Sequence, residues 1–169
     1  MAEPSNKNFY SSLGFVFLIN RTPNLNFFVQ SVDLPGITMN EVNIPTPFKK
    51  IPIAGDTIEY GTLDVTFKIS EDFSNYREIF DWITALGFPD NHLQYKTLAD
   101  KLPCDGTGLM SDATLMIISS ANNPIVKIEI VDLFPISLSP VTVDLKSGSV
   151  QYLDTTASFK FLNYTFVDV

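Results

Sequence analysis

The sequence holds few side chains that could form a catalytic centre. A serine or cysteine nucleophile needs a base such as an imidazole to take its proton, and the chain has one histidine, His92, and one cysteine, Cys104. His92 stands in the polar stretch Pro89-Asp90-Asn91-His92, which is typical of a surface turn. Zinc usually takes several cysteine or histidine ligands. The sequence therefore predicts neither a nucleophile–histidine site nor a metal centre.

Two acidic motifs could be mistaken for reactive sites. Asp105-Gly106-Thr107-Gly108 could suggest a phosphate loop or a protease aspartate, but it lacks the lysine and the spacing of a P-loop. Glu71-Asp72 precedes an amphipathic segment, where negative charge favours the positive end of a helix dipole. Turn formation and helix capping explain these motifs, and no nucleotide fingerprint or EF-hand loop is present. We expect no catalytic residue, no cofactor and no metal.

Composition limits the class of protein. A chain of 169 residues fits one domain, residues 1–169, with a polar N-terminal arm over residues 1–12. A single cysteine cannot form an internal disulfide, which favours a reducing compartment, and no secretion signal is evident. The longest apolar run, Phe15 to Ile19, is far shorter than the roughly 20 residues of a membrane helix. The net charge of −8 would repel nucleic acid. It fits simple solubility, or a surface that DNA passes without binding.

Most of the chain has the character of β-strands. The turn Asn20 to Asn24 places the second of them at hairpin distance from the first. The last segment changes its apolar phase at Leu162, which predicts a strand that is bulged or apolar on both faces. The predicted strands are Leu13–Asn20, Asn26–Asp33, Leu63–Ile69, Ala113–Ser120, Ile125–Asp132, Val141–Leu145, Val150–Asp154 and Thr156–Val167.

One helix is clearly indicated. Its apolar stripe has spacings of three and four, and Asp72 or Ser74 could cap its start, while Gly87 followed by Pro89 ends it. A second short helix is expected over Asn91 to Lys101, within a variable loop region, residues 88–112. The pattern predicts a mainly β (α+β) sandwich or barrel with one flanking helix. The stripe consists of Tyr76, Ile79, Phe80, Ile83 and Leu86.

The segment from Met39 to Tyr60 differs from the other strands. It carries Pro45, Pro47 and Pro52 among branched apolar residues. Because proline removes a ladder donor, such a segment suits an edge or a projecting arm better than a central strand. We therefore predict a projecting arm over residues 39–60.

Several short motifs occur in a characteristic order. They are Val32-Asp33-Leu34-Pro35-Gly36, Ile51-Pro52-Ile53-Ala54-Gly55-Asp56, the segment Leu63 to Ile83 with Phe80-Asp81-Trp82, and Lys127-Ile128-Glu129-Ile130 leading into Leu133-Phe134-Pro135-Ile136. This order resembles the tail tube proteins of contractile-tailed bacteriophages, and the likeness continues through Leu145 to Phe166. In that family the helix motif is Phe-x-x-Trp, whereas here the tryptophan is one place nearer. The wider fold is similar to the tube proteins of type VI secretion systems.

The resemblance implies a structural virion protein rather than an enzyme. Copies would close into homohexameric rings, and the rings would stack into the inner tail tube through which double-stranded DNA passes without specific binding. The implied partners are further copies of the chain, the tail sheath and the baseplate. The implied location is the virion tail, assembled in the host cytoplasm, with no membrane insertion of the subunit.

The projecting arm is the candidate for contacts between subunits. Its apolar side chains are too numerous for a free loop, and a partner would bury them. The alternative is an edge strand folded onto its own core. The predicted contact residues are Val42, Ile44, Phe48, Lys49, Lys50, Ile51 and Ile53.

Acidic side chains inside the tube would keep DNA from binding, since phosphate and carboxylate repel each other. The candidates for this lining are Glu41, Glu59, Asp64 and Asp144.

The sequence departs from the tube family over Gly87 to Asp112 and in its first dozen residues. These departures leave open a tube initiator or adaptor at the baseplate or tail terminus, or the tube of a phage-like injection system. A third hypothesis, from another class, is a hydrolase or binding module that uses the loop Gly87 to Asp112 with His92 or Cys104.

Overall fold

A computed structural model gives the fold and describes residues 14–87, 93, 95–96, 109–119, 122–144 and 152–168. Strands dominate, as predicted. The elements are β1 (Gly14–Ile19), α1 (Pro23–Phe28), β2 (Val29–Asp33), β3 (Ile37–Pro45), β4 (Lys50–Tyr60), β5 (Leu63–Lys68), α2 (Ser74–Gly87), β6 (Ser111–Ile118), β7 (Pro124–Leu138), β8 (Asp154–Lys160) and β9 (Asn163–Asp168). The prediction of a mainly β fold with a flanking helix is confirmed.

The main sheet is antiparallel and runs in the order β1-β6-β7-β8-β5-β2, with β9 also paired to β7. The long strand β7 joins its two halves. Residues 126–131 pair with β9 and residues 134–138 pair with β8. Between them Asp132 has φ 57, a left-handed conformation that interrupts the ladder and bends the strand. One strand thereby serves two layers that enclose a common core.

The core is built from alternating residues of both layers, as the pleat of a strand requires. Strand β5 shows this most clearly, because Leu63, Val65 and Phe67 are fully buried while the residues between them are half-buried. Helix α2 covers one side of the core. The other fully or almost fully buried apolar residues include Phe17, Ile19, Leu25, Ile79, Trp82, Ala113, Leu115, Ile128, Ile130, Leu133, Ala157 and Phe159.

Helix α2 begins and ends where the sequence predicted, but the face that it buries is rotated relative to the predicted apolar stripe. Trp82 is 2% exposed and its Nε1–H donates to the carbonyl of Leu109 at 2.9 Å, whereas Phe80 is 54% exposed. The assignment of Phe80 to the buried stripe was therefore wrong, because Trp82 is the larger ring and takes the central place. The buried polar residue on this face is Asn75, whose side chain donates to the carbonyl of Lys68 at 2.7 Å.

The start of α2 is capped by Asp72. Its carboxylate accepts hydrogen bonds from the Ser70 hydroxyl at 2.7 Å and from the Ser74 amide at 3.2 Å. The Ser70 hydroxyl bond, aided by those from Ser74, lowers the pKa of the Asp72 carboxyl. This confirms Asp72 as the cap of α2.

The predicted hairpin after β1 was wrong. Residues 23–28 form a short helix, α1, and the strand that follows starts only at Val29 and pairs with β5 rather than β1. Pro23 suits the first turn of a helix, and Leu25 is fully buried. The Asn26 side chain accepts from the Ile19 amide at 2.8 Å and donates to the Ile19 carbonyl at 3.1 Å. These two hydrogen bonds hold α1 against the end of β1.

Glu78 links the two helices. Its carboxylate accepts from the Asn24 side chain at 2.7 Å, and its other oxygen is buried without a hydrogen bond. Burial raises the pKa of the Glu78 carboxyl, although hydrogen bonds from Asn24 and Leu25 oppose the shift. The ionised form of Glu78 therefore destabilises the folded chain.

We expect Glu78→Gln to stabilise the chain relative to the parent at neutral pH. Because the folded pKa is raised, the folded chain holds more protons than the unfolded chain above the usual glutamate value of 4.5. The parent therefore loses stability as pH rises through the raised value, and the neutral amide does not. Thermal unfolding of both chains between pH 4 and pH 7 should show melting temperatures that diverge with pH. Melting temperatures that change in parallel with pH would show that ionised Glu78 does not destabilise the fold.

The second half of the chain corrects three further predictions. Residues 141–144 form no strand, and of the strand expected over Val150 to Asp154 the described residues 152–153 are not strand, while Asp154 is the first residue of β8. The expected final strand is two strands, because β8 pairs with β5 and β7 whereas β9 pairs with the other half of β7. The change of phase at Leu162 marks this move between layers. The turn between β6 and β7 is confirmed, with the Ser119 amide donating to the Asn123 carbonyl at 2.8 Å.

Several predictions lie wholly or largely outside the described residues. These concern the N-terminal arm over residues 1–12, His92, Cys104, the Asp105-Gly106-Thr107-Gly108 motif, and most of the second helix expected over Asn91 to Lys101. Among the described helices, none has the length and apolar character needed to cross a membrane.

Candidate assembly interface

The strands β3 and β4 form a hairpin of their own, separate from the main sheet. Every residue of β3 is exposed, and in β4 only Gly55 and Tyr60 are half-buried. The predicted arm, residues 39–60, falls on this hairpin, and the alternative of an edge strand folded onto its own core does not describe it. A long apolar ribbon open to solvent is typical of a surface that a partner covers.

The outer half of the hairpin has one apolar face. Val42 is paired with Ile53, and Ile44 with Ile51, so these four side chains point to the same side. Each is 41–56% exposed. We call this set the tip face. Phe48, in the loop that joins the strands, is 98% exposed.

The inner half is apolar on the opposite face of the pleat. Ile37 is paired with Tyr60, and Met39 with Ile58, and we call these four residues the base face. Strand alternation places the base face on the opposite side from the tip face. The switch occurs at a bulge, where Asn40 of β3 stands opposite residues 55–57 of β4. Each half of the hairpin therefore has an apolar face of its own.

Glycine is required at the bulge. A Cβ added to Gly55 would lie 2.4 Å from the carbonyl oxygen of Asn40, which is far inside van der Waals contact. The backbone would have to move to admit any side chain. Gly55 thus fixes the register beyond the bulge, in which Val42 pairs with Ile53 and Ile44 with Ile51.

We expect Gly55→Val to leave the core folded and to disrupt the hairpin. Gly36→Ala, at the start of the same hairpin, is the matched control, since a Cβ there meets no atom within 4 Å. Hydrogen exchange of residues 37–60 should rise strongly in the Gly55→Val variant, by about tenfold or more at the bulge, while the melting temperature stays close to the parent value. Unchanged exchange at the bulge would contradict this role for Gly55.

The root of the hairpin is the end at Ile37 and Tyr60, where the hairpin joins the rest of the chain. An aromatic cluster holds it to the body. The ring of Tyr60 lies 5.6 Å from those of both Phe161 and Tyr164, and Tyr164 lies 5.7 Å from Phe166. The Lys160 ammonium donates to the carbonyls of Tyr60 at 2.9 Å and Gly61 at 3.2 Å. These contacts anchor the root while the rest of the hairpin projects.

The predicted contact residues come together on one end of the hairpin. Four of them make up the tip face, Phe48 and Lys49 lie in the connecting loop, and Lys50 is the first residue of β4. The base face was not predicted from the sequence. The alternation of Ile37 with Met39 and of Ile58 with Tyr60 was available there, but the pairing between the two strands was not.

The predicted lumen acids do not form one cluster. Glu41 accepts from the Asn43 side chain at 3.2 Å in the outer half of the hairpin, and Glu59 lies in the inner half on the other side of the pleat. Asp64 is on β5 with one carboxylate oxygen buried, and Asp144 is exposed in the segment 141–144. Among the described residues, no group of three or more His, Cys, Asp or Glu could hold a metal ion.

Known proteins match this chain in structure. No protein-family model and no curated protein matches its sequence. A chain of the extracellular contractile injection system described as PVC sheath/tube terminator in extended state has a TM-score of 0.63 and 13% identity, covering 95% of this chain and 98% of that chain. A chain of the PVC sheath-tube complex in extended state has a TM-score of 0.58 and 13% identity, covering 96% and 94%.

A chain of the anti-feeding prophage baseplate has a TM-score of 0.58 and 14% identity, covering 99% of this chain and 98% of that chain. At these identities the likeness establishes the fold. The resemblance to tail tube proteins noted in the sequence is thereby confirmed at the level of the fold. The prediction of a structural protein rather than an enzyme is in line with these neighbours, which are parts of tube, terminator and baseplate assemblies.

Proposed function

We propose that this chain is a structural subunit of the inner tube of a contractile injection apparatus. Copies close into homohexameric rings, and the rings stack into a hollow tube. The observation that carries the proposal is the exposed hairpin of residues 37–60, which extends from a body with the fold of tube, terminator and baseplate chains. A head-to-tail contact either closes into a ring or continues as a filament, and a stacked tube uses both outcomes.

The tip face supplies a driving force for stacking. Its four aliphatic side chains are each about half exposed in the single chain. Burying the remaining half of four such side chains contributes roughly 3–6 kcal/mol. Many such contacts act together in a ring, so even modest gains per copy favour a polymer. The tip-face residues, with Phe48, Lys49 and Lys50, are the proposed inter-subunit contacts.

The tube would serve as a conduit. Double-stranded DNA is the proposed cargo, and it passes without specific binding because a chain of net charge −8 repels phosphate. Glu41, Glu59, Asp64 and Asp144 remain the proposed lumen acids. The proposed partners are the chain itself, a tail sheath and a baseplate, and the proposed location is the virion tail after assembly in the host cytoplasm. We also propose the division into a single domain, residues 1–169, with arm and loop segments as predicted.

A second candidate function has specific support. Two of the structural neighbours come from a terminator and a baseplate, and the terminator has the higher TM-score of 0.63. The chain could therefore be a tube initiator or adaptor, in which one ring face meets a different protein. The descriptions of the neighbours also support the tube of a phage-like injection system.

Negative-stain microscopy of the purified chain tests these candidates. Long hollow polymers support a tube subunit, and single rings support an adaptor. Monomers at high protein concentration contradict both and favour the binding-module hypothesis. Sedimentation velocity on the same sample gives the fraction of chain in each form.

A further inference from the structure

We infer that the tip of one copy's hairpin docks on the root of the hairpin in the next copy, where Lys49 and Lys50 pair with Asp33 and Asp64. The inference rests on the proposed function, because it needs copies that are stacked head to tail. The surface that receives the tip is the root of the next copy, and the apolar faces of the hairpin do not by themselves identify it.

The root carries two adjacent carboxylates. Asp33 ends β2 and stands directly opposite Asp64 on β5 in the antiparallel register. Like charges in directly opposite positions destabilise a strand pair. One oxygen of Asp64 is also buried without a hydrogen bond. The arrangement is unfavourable in the single chain, and a cation that approaches it would relieve the repulsion.

Three lysines of the body are engaged elsewhere. Within the described residues, Lys68 forms an ion pair with Asp154 and Lys127 forms one with Glu129. On its other edge β5 pairs with β8, where the uncharged Ser158 stands opposite Asp64. Lys160 follows two residues later, but its ammonium donates to carbonyls of the hairpin root instead.

The tip carries the complementary charge. Lys49 and Lys50 are adjacent and exposed, and neither takes part in an ion pair within the described residues. They form the only pair of adjacent basic residues in a chain with 19 acidic and 11 basic side chains. A basic tip on an acidic chain favours a second copy of the same chain as its partner.

The dimensions fit a contact between successive copies. The 11 residues of β4 extend over roughly 35 Å at about 3.3 Å each. A compact domain of this length is roughly 40 Å across, from its expected radius of gyration. A hairpin that starts at the root of one body therefore spans about one subunit and brings its tip to the root of the next.

The same contact repeats without limit. Root and tip lie at opposite ends of one hairpin, since Asp33 and Asp64 flank its base while Lys49 and Lys50 lie at its turn. A shift by one hairpin length therefore places each tip on a root, which is the property of a heterologous, filament-forming interface. In this arrangement Asp64 is a contact residue, and the lining of the lumen falls to Glu41, Glu59 and Asp144.

Charge reversal and its rescue test the inference. Lys49→Glu with Lys50→Glu should raise the protein concentration needed for tubes by about tenfold or more, since close charge pairs at interfaces contribute at least this much. Adding Asp33→Lys and Asp64→Lys to the same chain should restore most of the assembly. The combined variant keeps the net charge at −8, because two Lys→Glu changes and two Asp→Lys changes cancel. Rescue therefore cannot come from overall charge.

Because Asp64 is half-buried, the exposed Asp33 provides a second test. Lys49→Glu should be rescued by Asp33→Lys alone, with circular dichroism confirming that each variant is folded. Tubes that form from the Lys→Glu chain at the parent concentration overturn the inference, and so does a folded combined variant that does not recover. Those outcomes leave the proposed function standing, because the parent still forms tubes. A parent chain that never polymerises overturns both.

Discussion

Ile51→Asp is expected to leave the chain folded and to abolish its assembly into tubes. Ile51 is 41% exposed in the single chain and lies outside the core, so a carboxylate there remains solvated and does not disturb the body. In the stacked tube the same position would be covered by another copy. Removing a carboxylate from water without a partner costs several kcal/mol, which exceeds the gain from the rest of the tip face. Phe48→Asp should act in the same way.

Circular dichroism and sizing of the same sample separate the possible outcomes. The parent spectrum with particles no larger than a single ring is the expected result. Ile51→Val and Phe48→Leu are the matched controls, since they keep an apolar side chain at each position and should still assemble. An unfolded Ile51→Asp variant would instead place this residue in the core of its own chain and contradict the hairpin as a contact surface.

The second large effect concerns stability rather than assembly. Trp82→Ala should reduce the free energy of unfolding by about 3–5 kcal/mol, because it removes the largest buried side chain and leaves a cavity. The indole packs 6.3 Å from the Phe159 ring, lies beneath the Arg21 guanidinium at 5.1 Å, and donates to the Leu109 carbonyl. Chemical denaturation in the Ile51→Asp background, which is not expected to form tubes, measures the loss without interference from tube formation.

Trp82→Phe separates the two contributions of this residue. It keeps most of the apolar volume and loses the hydrogen bond to Leu109, so a loss of about 1–3 kcal/mol is expected. A loss below about 1 kcal/mol for Trp82→Ala would show that α2 does not close the core through this ring.

Local patterns in the sequence predicted most of the strands and the main helix, because alternation and capping are local signals. The alternation of β5 and the cap at Asp72 were both confirmed. The short helix α1 was missed because its position depends on the Asn26 side chain bonding to Ile19, a contact that strand propensity does not include. Phe80 was placed in the buried stripe because its spacing fits a helical face, but the spacing of Trp82 fits a neighbouring face equally well, and only packing against the sheet decides which ring is buried.

The projecting hairpin could be foreseen because its prolines and branched residues conflict with a central strand. The pairing of Val42 with Ile53 and of Ile44 with Ile51 could not, since it depends on the bulge, where Gly55 closely approaches Asn40 on the other strand. The proximity of the two root carboxylates could not be predicted either. Asp33 and Asp64 are far apart in the sequence, and only the register between β2 and β5 places them side by side.

A cryo-electron microscopy reconstruction of the polymer formed by the parent chain tests the proposed assembly directly. We expect stacked rings around an open channel, with the hairpin of residues 37–60 covered by neighbouring copies. A chain that remains a compact monomer at high concentration and physiological salt contradicts it. So does a polymer in which both faces of this hairpin remain in solvent.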